Sequence, residues 1–152
     1  MTSQKGEPRL KKSIIVLAFI SLGLVYSTMI VGVYFSSIEQ GIACTEWPLC
    51  PNGLFGAPEE RYTVEYAHRL IAAIAAAFIY ATAIIVPSKI KRAKKAALIA
   101  AAIVSVQLVL GLAVVFSQLN PLLVASHLST GVSMFALVLL TFLWTSFWRK
   151  QS

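Results

Sequence analysis

Four apolar runs, each long enough to cross a bilayer, constrain this chain more than any other feature. The hydrocarbon core is about 30 Å across and a helix rises about 1.5 Å per residue, so a spanning helix needs about 20 mostly apolar residues. Runs of that kind lie at about 13–35, 66–86, 96–116 and 122–147. Hydrophobic residues make up 58% of the 152 positions, more than a water-soluble domain carries. Membrane barrel strands are excluded, because they alternate apolar and polar residues. The prediction is an all-α integral membrane protein, one domain over 1–152 built as a four-transmembrane-helix bundle.

Local chemistry sets the breaks between the runs. Pro87 and Ser88 stop the second, and the polar turn Ser117 to Pro121 joins the third to the fourth as a tight hairpin, with proline at a helix start. Lys5, Arg9, Lys11 and Lys12 precede the first run like the charged region of a signal peptide, but the run is too long and lacks a cleavage site. It is therefore read as a retained helix.

Charge gives the orientation. Eleven of the thirteen Lys and Arg lie before the first run, between Lys89 and Lys95, or at Arg149 and Lys150. Basic loops stay cytoplasmic, which predicts cytoplasmic N and C termini; the expected location is the cell membrane, as a multi-pass protein of a prokaryotic plasma membrane. Only Arg61 and Arg69 fall on the other side, with Glu39, Glu46, Glu59, Glu60 and Glu65. The +7 net charge is then a topology signal and membrane lipid the expected surroundings, with no nucleic acid partner. Trp144 and Trp148 read as interfacial anchors at the inner end.

The one long loop, about 36–64, is extracytoplasmic and holds both cysteines, in Cys44-Thr45-Glu46-Trp47-Pro48-Leu49-Cys50. An oxidising compartment and five intervening residues suit a disulfide. A structural staple and a redox-active pair are both open readings at this point.

Directly after the loop comes Glu65-Tyr66-Ala67-His68-Arg69, where helical spacing places Glu65, His68 and Ala72 on one face. Ala75, Ala76 and Ile79 follow along that face and would leave room for a flat ligand. The fourth run repeats the arrangement with His127, then Thr130, Gly131 and Met134. Both of these runs pass from outside to inside, so the chain's two histidines are expected at similar depth near the outer surface. Two imidazoles facing each other across a bundle can supply both axial ligands of a haem iron. Zinc is the weaker reading, since it takes about four His, Cys or carboxylate ligands and only Glu65 is nearby. Arg69 can pair with a haem propionate or snorkel to lipid headgroups. Gln107, mid-membrane in the third run, is expected to bond across a helix interface.

Taken together, Cys44 with Trp47-Pro48-Leu49-Cys50, Glu65-x-x-His68-Arg69 and His127 resemble the haem A synthase family, over the whole four-helix chain. The resemblance implies a haem A synthase-like oxidoreductase that converts the ring methyl of haem O to a formyl group. It implies His68 and His127 as axial ligands of haem B, haem O or haem A, with the haem site toward the extracytoplasmic side. It also implies a catalytic Glu65 and a Cys44–Cys50 disulfide that assists haem handling or electron transfer. The partners it implies are the substrate haem O, a haem O synthase and an electron donor or acceptor. Members of the family commonly have eight helices in two halves, and this chain corresponds to the half that binds substrate haem. A homo-oligomer would then supply more than one haem site, and the small-residue face Ala93, Ala97 and Ala101 is the expected packing surface.

Two other functions fit parts of the pattern. A b-type cytochrome of the same fold would only bind haem and pass electrons, and a carboxylate one turn from the iron ligand favours the enzyme over it. A thiol oxidoreductase would use a C-x-x-C pair and a second relay pair, which this chain lacks.

Overall fold

In a bilayer every backbone polar group must find its partner within the protein, so long apolar runs become helices. The computed structural model describes residues 7–37, Cys44, Cys50 and 62–151. Trp47, Pro48, Leu49 and Arg61 lie outside the described residues, as do the side chains of Arg149 and Lys150. Four helices result, α1 (Glu7–Ser37), α2 (Thr63–Ile85), α3 (Lys91–Phe116) and α4 (Pro121–Gln151). Each contains a stretch long and apolar enough to span a membrane.

The helices begin earlier than hydropathy indicates at α1, α2 and α3. Hydropathy marks only the part of a helix that suits lipid, whereas Lys and Arg are good helix formers and carry the backbone pattern into the interface. Thus α3 starts at Lys91, five residues ahead of its apolar run, and α2 starts at Thr63. The second shift puts Glu65 inside the first turn of α2.

The ends are set by specific chemistry. Pro87 stops α2, and Lys94 reaches back from α3 to donate from Nζ to the carbonyl oxygens of Ala83 (2.6 Å) and Ile84 (3.3 Å). A cation on the last free carbonyls of a helix favourably opposes its dipole. At the other end of α3, the Gln118 and Leu119 amides donate to the Val115 and Val114 carbonyls, at 3.1 and 3.0 Å. Gln118 and Leu119 adopt φ values of 52° and 63°. Asn120 then caps α4, its Oδ1 accepting the Leu122 amide at 3.0 Å, and Pro121 occupies the first helical position.

Around the bundle α1 packs on α2 and α4, and α3 packs on α2 and α4, so α2 and α4 face each other across a diagonal. Lipid tails are as apolar as the core, so van der Waals contact between small residues and interhelical hydrogen bonds hold such a bundle together. All four helices contribute to a central cluster of Val25, Ala75, Ala76, Ile79, Ala100, Val104, Met134 and Val138. A second cluster joins Ile14, Ala83, Val86, Ala93 and Ala97 toward the chain termini. Ser21 and Thr82, both buried, place their hydroxyl oxygens 3.0 Å apart between α1 and α2. Large side chains such as Ile84, Val109 and Phe116 point outward.

Two expectations change here. Ala93 and Ala97, expected to serve self-association, are buried inside the bundle at 0% and 2% exposure. Their small size lets α3 approach its own neighbours, which uses up that face. Ala75, Ala76 and Ile79 are likewise packed into the central cluster, so the face below His68 contacts side chains of α1, α3 and α4.

Candidate functional site

At the end of the bundle nearest the cysteines, α2 and α4 each begin a descent through the membrane, and each carries a histidine in its second turn. With a rise of about 1.5 Å per residue, His68 and His127 sit about 8 and 9 Å along their helices. Both are half-buried, on helices that lie diagonal to each other.

His68 is held by α1. Its Nδ1 stands 3.1 Å from the Thr28 carbonyl oxygen. A carbonyl can only accept, so Nδ1 carries the proton and Nε2 keeps its lone pair. The ring rests against Gly32, where an added Cβ would come within 2.9 Å of His68 Cε1 and 3.2 Å of Nδ1. Only glycine permits that approach.

His127 is surrounded differently. Gln107, buried in α3, donates from Nε2 to the His127 carbonyl (3.0 Å) and accepts from the Thr130 hydroxyl at Oε1 (3.1 Å). This is the cross-helix bond expected for Gln107, and Gly131 makes space for it, since a Cβ there would lie 2.8 Å from Gln107 Nε2. The His127 ring itself has a buried Nδ1 with no hydrogen-bond partner. Gly111 of α3 faces the ring at an ordinary contact distance of 3.5 Å for an added Cβ.

One turn above His68, Glu65 is buried at 4% exposure and fully engaged. Its Oε2 accepts the Cys44 amide at 2.9 Å and its Oε1 pairs with the Arg69 guanidinium. Arg69 also donates to the Cys44 carbonyl at 3.0 Å. The two side chains thus grip Cys44 by both backbone polar groups. Cys44 and Cys50 lie at disulfide distance with Cα atoms 5.4 Å apart, buried against Tyr62 and Tyr66. Acid, arginine and cysteines form one unit on the first turns of α2, above His68.

The donor set suits haem. A neutral imidazole with a free Nε2 lone pair is the ligand that haem iron takes, and the diagonal helix α4 carries a second imidazole. Among the described residues, no group of three or more His, Cys, Asp or Glu could hold a bare metal ion. Sequence reasoning missed Thr28, Gly32 and Gly111. A signal existed: Gly32 and Gly111 each follow a polar residue by four positions, Thr28 and Gln107, and glycine within an apolar helix marks close approach.

Residues 57–152 match the family model described as cytochrome oxidase assembly protein, COX15-CtaA. The matched stretch takes in α2, α3 and α4, with Glu65, His68, Arg69 and His127. Among curated proteins the chain is similar to the protoheme IX farnesyltransferase of Haloarcula marismortui, 31% identical over 79% of this chain and 26% of that protein. It is also similar to the enzyme of that name from Halobacterium salinarum, 29% identical over 86% of this chain and 28% of that protein. The chain spans about a quarter of the length of these relatives.

Proposed function

Because the chain belongs to the cytochrome oxidase assembly family of the haem A synthases, we propose that it oxidises the ring methyl of haem O to a formyl group in the cell membrane. The observation that carries this reading is the placement of the chain's two histidines in the second turns of α2 and α4, helices diagonal to each other in the bundle. His68 and His127 would hold the haem iron, and the bound haem would supply the redox chemistry. The cysteine end of the bundle is the extracytoplasmic end in this reading, with both termini cytoplasmic.

What this chain's own residues contribute is orientation and proton handling. Thr28 and Gly32 orient the His68 ring, and the packed central cluster keeps water from the membrane side. Glu65 sits one turn above His68 and is the only carboxylate among the described residues near the ligands, so it is the group that can take protons released as the methyl is oxidised. Arg69 pairs with that carboxylate, and its guanidinium would be the partner for a haem propionate. The Cys44–Cys50 disulfide is the staple that fixes the backbone gripped by Glu65 and Arg69.

The relatives named for farnesyl transfer to protoheme IX support a working partnership with a haem O synthase, whose product is the substrate here. With water supplying the formyl oxygen, the conversion releases four electrons and four protons; an electron acceptor outside the chain takes the electrons, and a homo-oligomer would bring several haem sites together. The alternative is a b-type cytochrome with the same two ligands. Purified protein supplied with haem O and an oxidant separates them by mass analysis of the extracted pigment. Glu65→Gln should retain haem while the hydroxylated and formyl products fall by about 10²-fold or more. A parent protein that binds haem and makes neither product would establish the cytochrome reading instead.

A further inference from the structure

The two histidines are chemically alike in the sequence and differ in what surrounds them. Resting on the haem-binding reading above, we propose that they are inequivalent ligands: His68 is the anchored imidazole, and His127 is the exchangeable one that releases iron first.

Three observations separate them. The His68 ring donates from Nδ1 to the Thr28 carbonyl, which fixes its tautomer and its rotation. A hydrogen bond of that kind also makes the opposite nitrogen a better donor to metal. The Gly32 seat then locks the ring from the side, at a separation no other residue would allow. His127 has neither restraint. Its buried Nδ1 meets no acceptor, and Gly111 stands at ordinary contact distance. The hydrogen bonds from Gln107 and Thr130 at this position go to the main-chain carbonyl of His127, so they hold the helix and leave the ring free to turn.

An imidazole without a second partner binds metal more weakly, and outer partners of this kind contribute about 10–100-fold in affinity. Thr28 and Gly32 are thus positioning residues for one ligand only. The α4 side becomes the side on which coordination opens, for exchange of one haem for another or for entry of a small ligand.

The test uses the full chain in mild detergent, reconstituted with haemin. The parent should be six-coordinate and low-spin. His127→Ala should keep haem through His68, turn high-spin and bind carbon monoxide after reduction, whereas His68→Ala should lose about 10–100-fold more affinity. Equal losses in the two variants, or better retention by His68→Ala, would overturn the inequivalence while the haem reading stands. A parent that takes up no haem would overturn the reading beneath it as well. Gly32→Ala and Gly111→Ala keep both ligands and give a second measurement. The first should shift the low-spin electron paramagnetic resonance signal and the second should not, and identical spectra from the pair would again refute the proposal.

Discussion

Replacing Glu65 tests how far a buried charge pair holds the top of this bundle together. In Glu65→Ala the Cys44 amide loses its acceptor and the Arg69 guanidinium keeps only the Cys44 carbonyl among its contacts described above. Breaking a buried ion pair by removing one partner costs about 3–5 kcal/mol, chiefly because the remaining charge is left uncompensated. The Arg69 side chain is 13% exposed, which places the effect at the low end, about 3 kcal/mol. Glu65→Gln keeps an oxygen for the Cys44 amide and loses only the charge, so about 1–2 kcal/mol is expected. In the double variant Glu65→Ala/Arg69→Ala both charges of the pair are gone, and the loss should be smaller than the two single losses added together. Unfolding of the haem-free protein in mild detergent, followed by circular dichroism, measures the parent, Glu65→Ala, Glu65→Gln, Arg69→Ala and the double variant. A Glu65→Ala variant within about 0.5 kcal/mol of the parent, the range of ordinary surface substitutions, would show that the grip on Cys44 contributes nothing to stability.

Two further outcomes follow from the packing. Alkylation without reductant should label neither Cys44 nor Cys50, which are 1% and 2% exposed and at disulfide distance, and mass analysis finding two labelled thiols would exclude the bond. Ala97→Leu should destabilise the bundle itself, by about 1–3 kcal/mol for overpacking, and leave the number of subunits unchanged. A variant of parental stability with an altered oligomer mass would return this face to subunit contact.

Much of the architecture was legible in the chain because a bilayer permits few solutions. Apolar runs of spanning length must be helices, and their basic flanks limit how far each run extends. The paired histidines were legible for a related reason: two ionisable groups placed alike on parallel helices stand out against an apolar background. Gln107 was recognised as an interhelical bond because an amide at that depth needs a partner. What the sequence left open were distances across the bundle. Whether Ala93 and Ala97 face a neighbouring helix or a second copy depends on how the helices are rotated, and apolar residues on all sides of a lipid-exposed helix do not reveal rotation. The same rotation decides that Thr28 offers its carbonyl and Gly32 its bare backbone to His68, contacts made across 40 and 36 positions of chain. Glu65 and Arg69 could be paired from their spacing alone. That both close on the backbone of Cys44 was decided by the tertiary structure, because a main-chain amide and carbonyl carry no signature in the sequence.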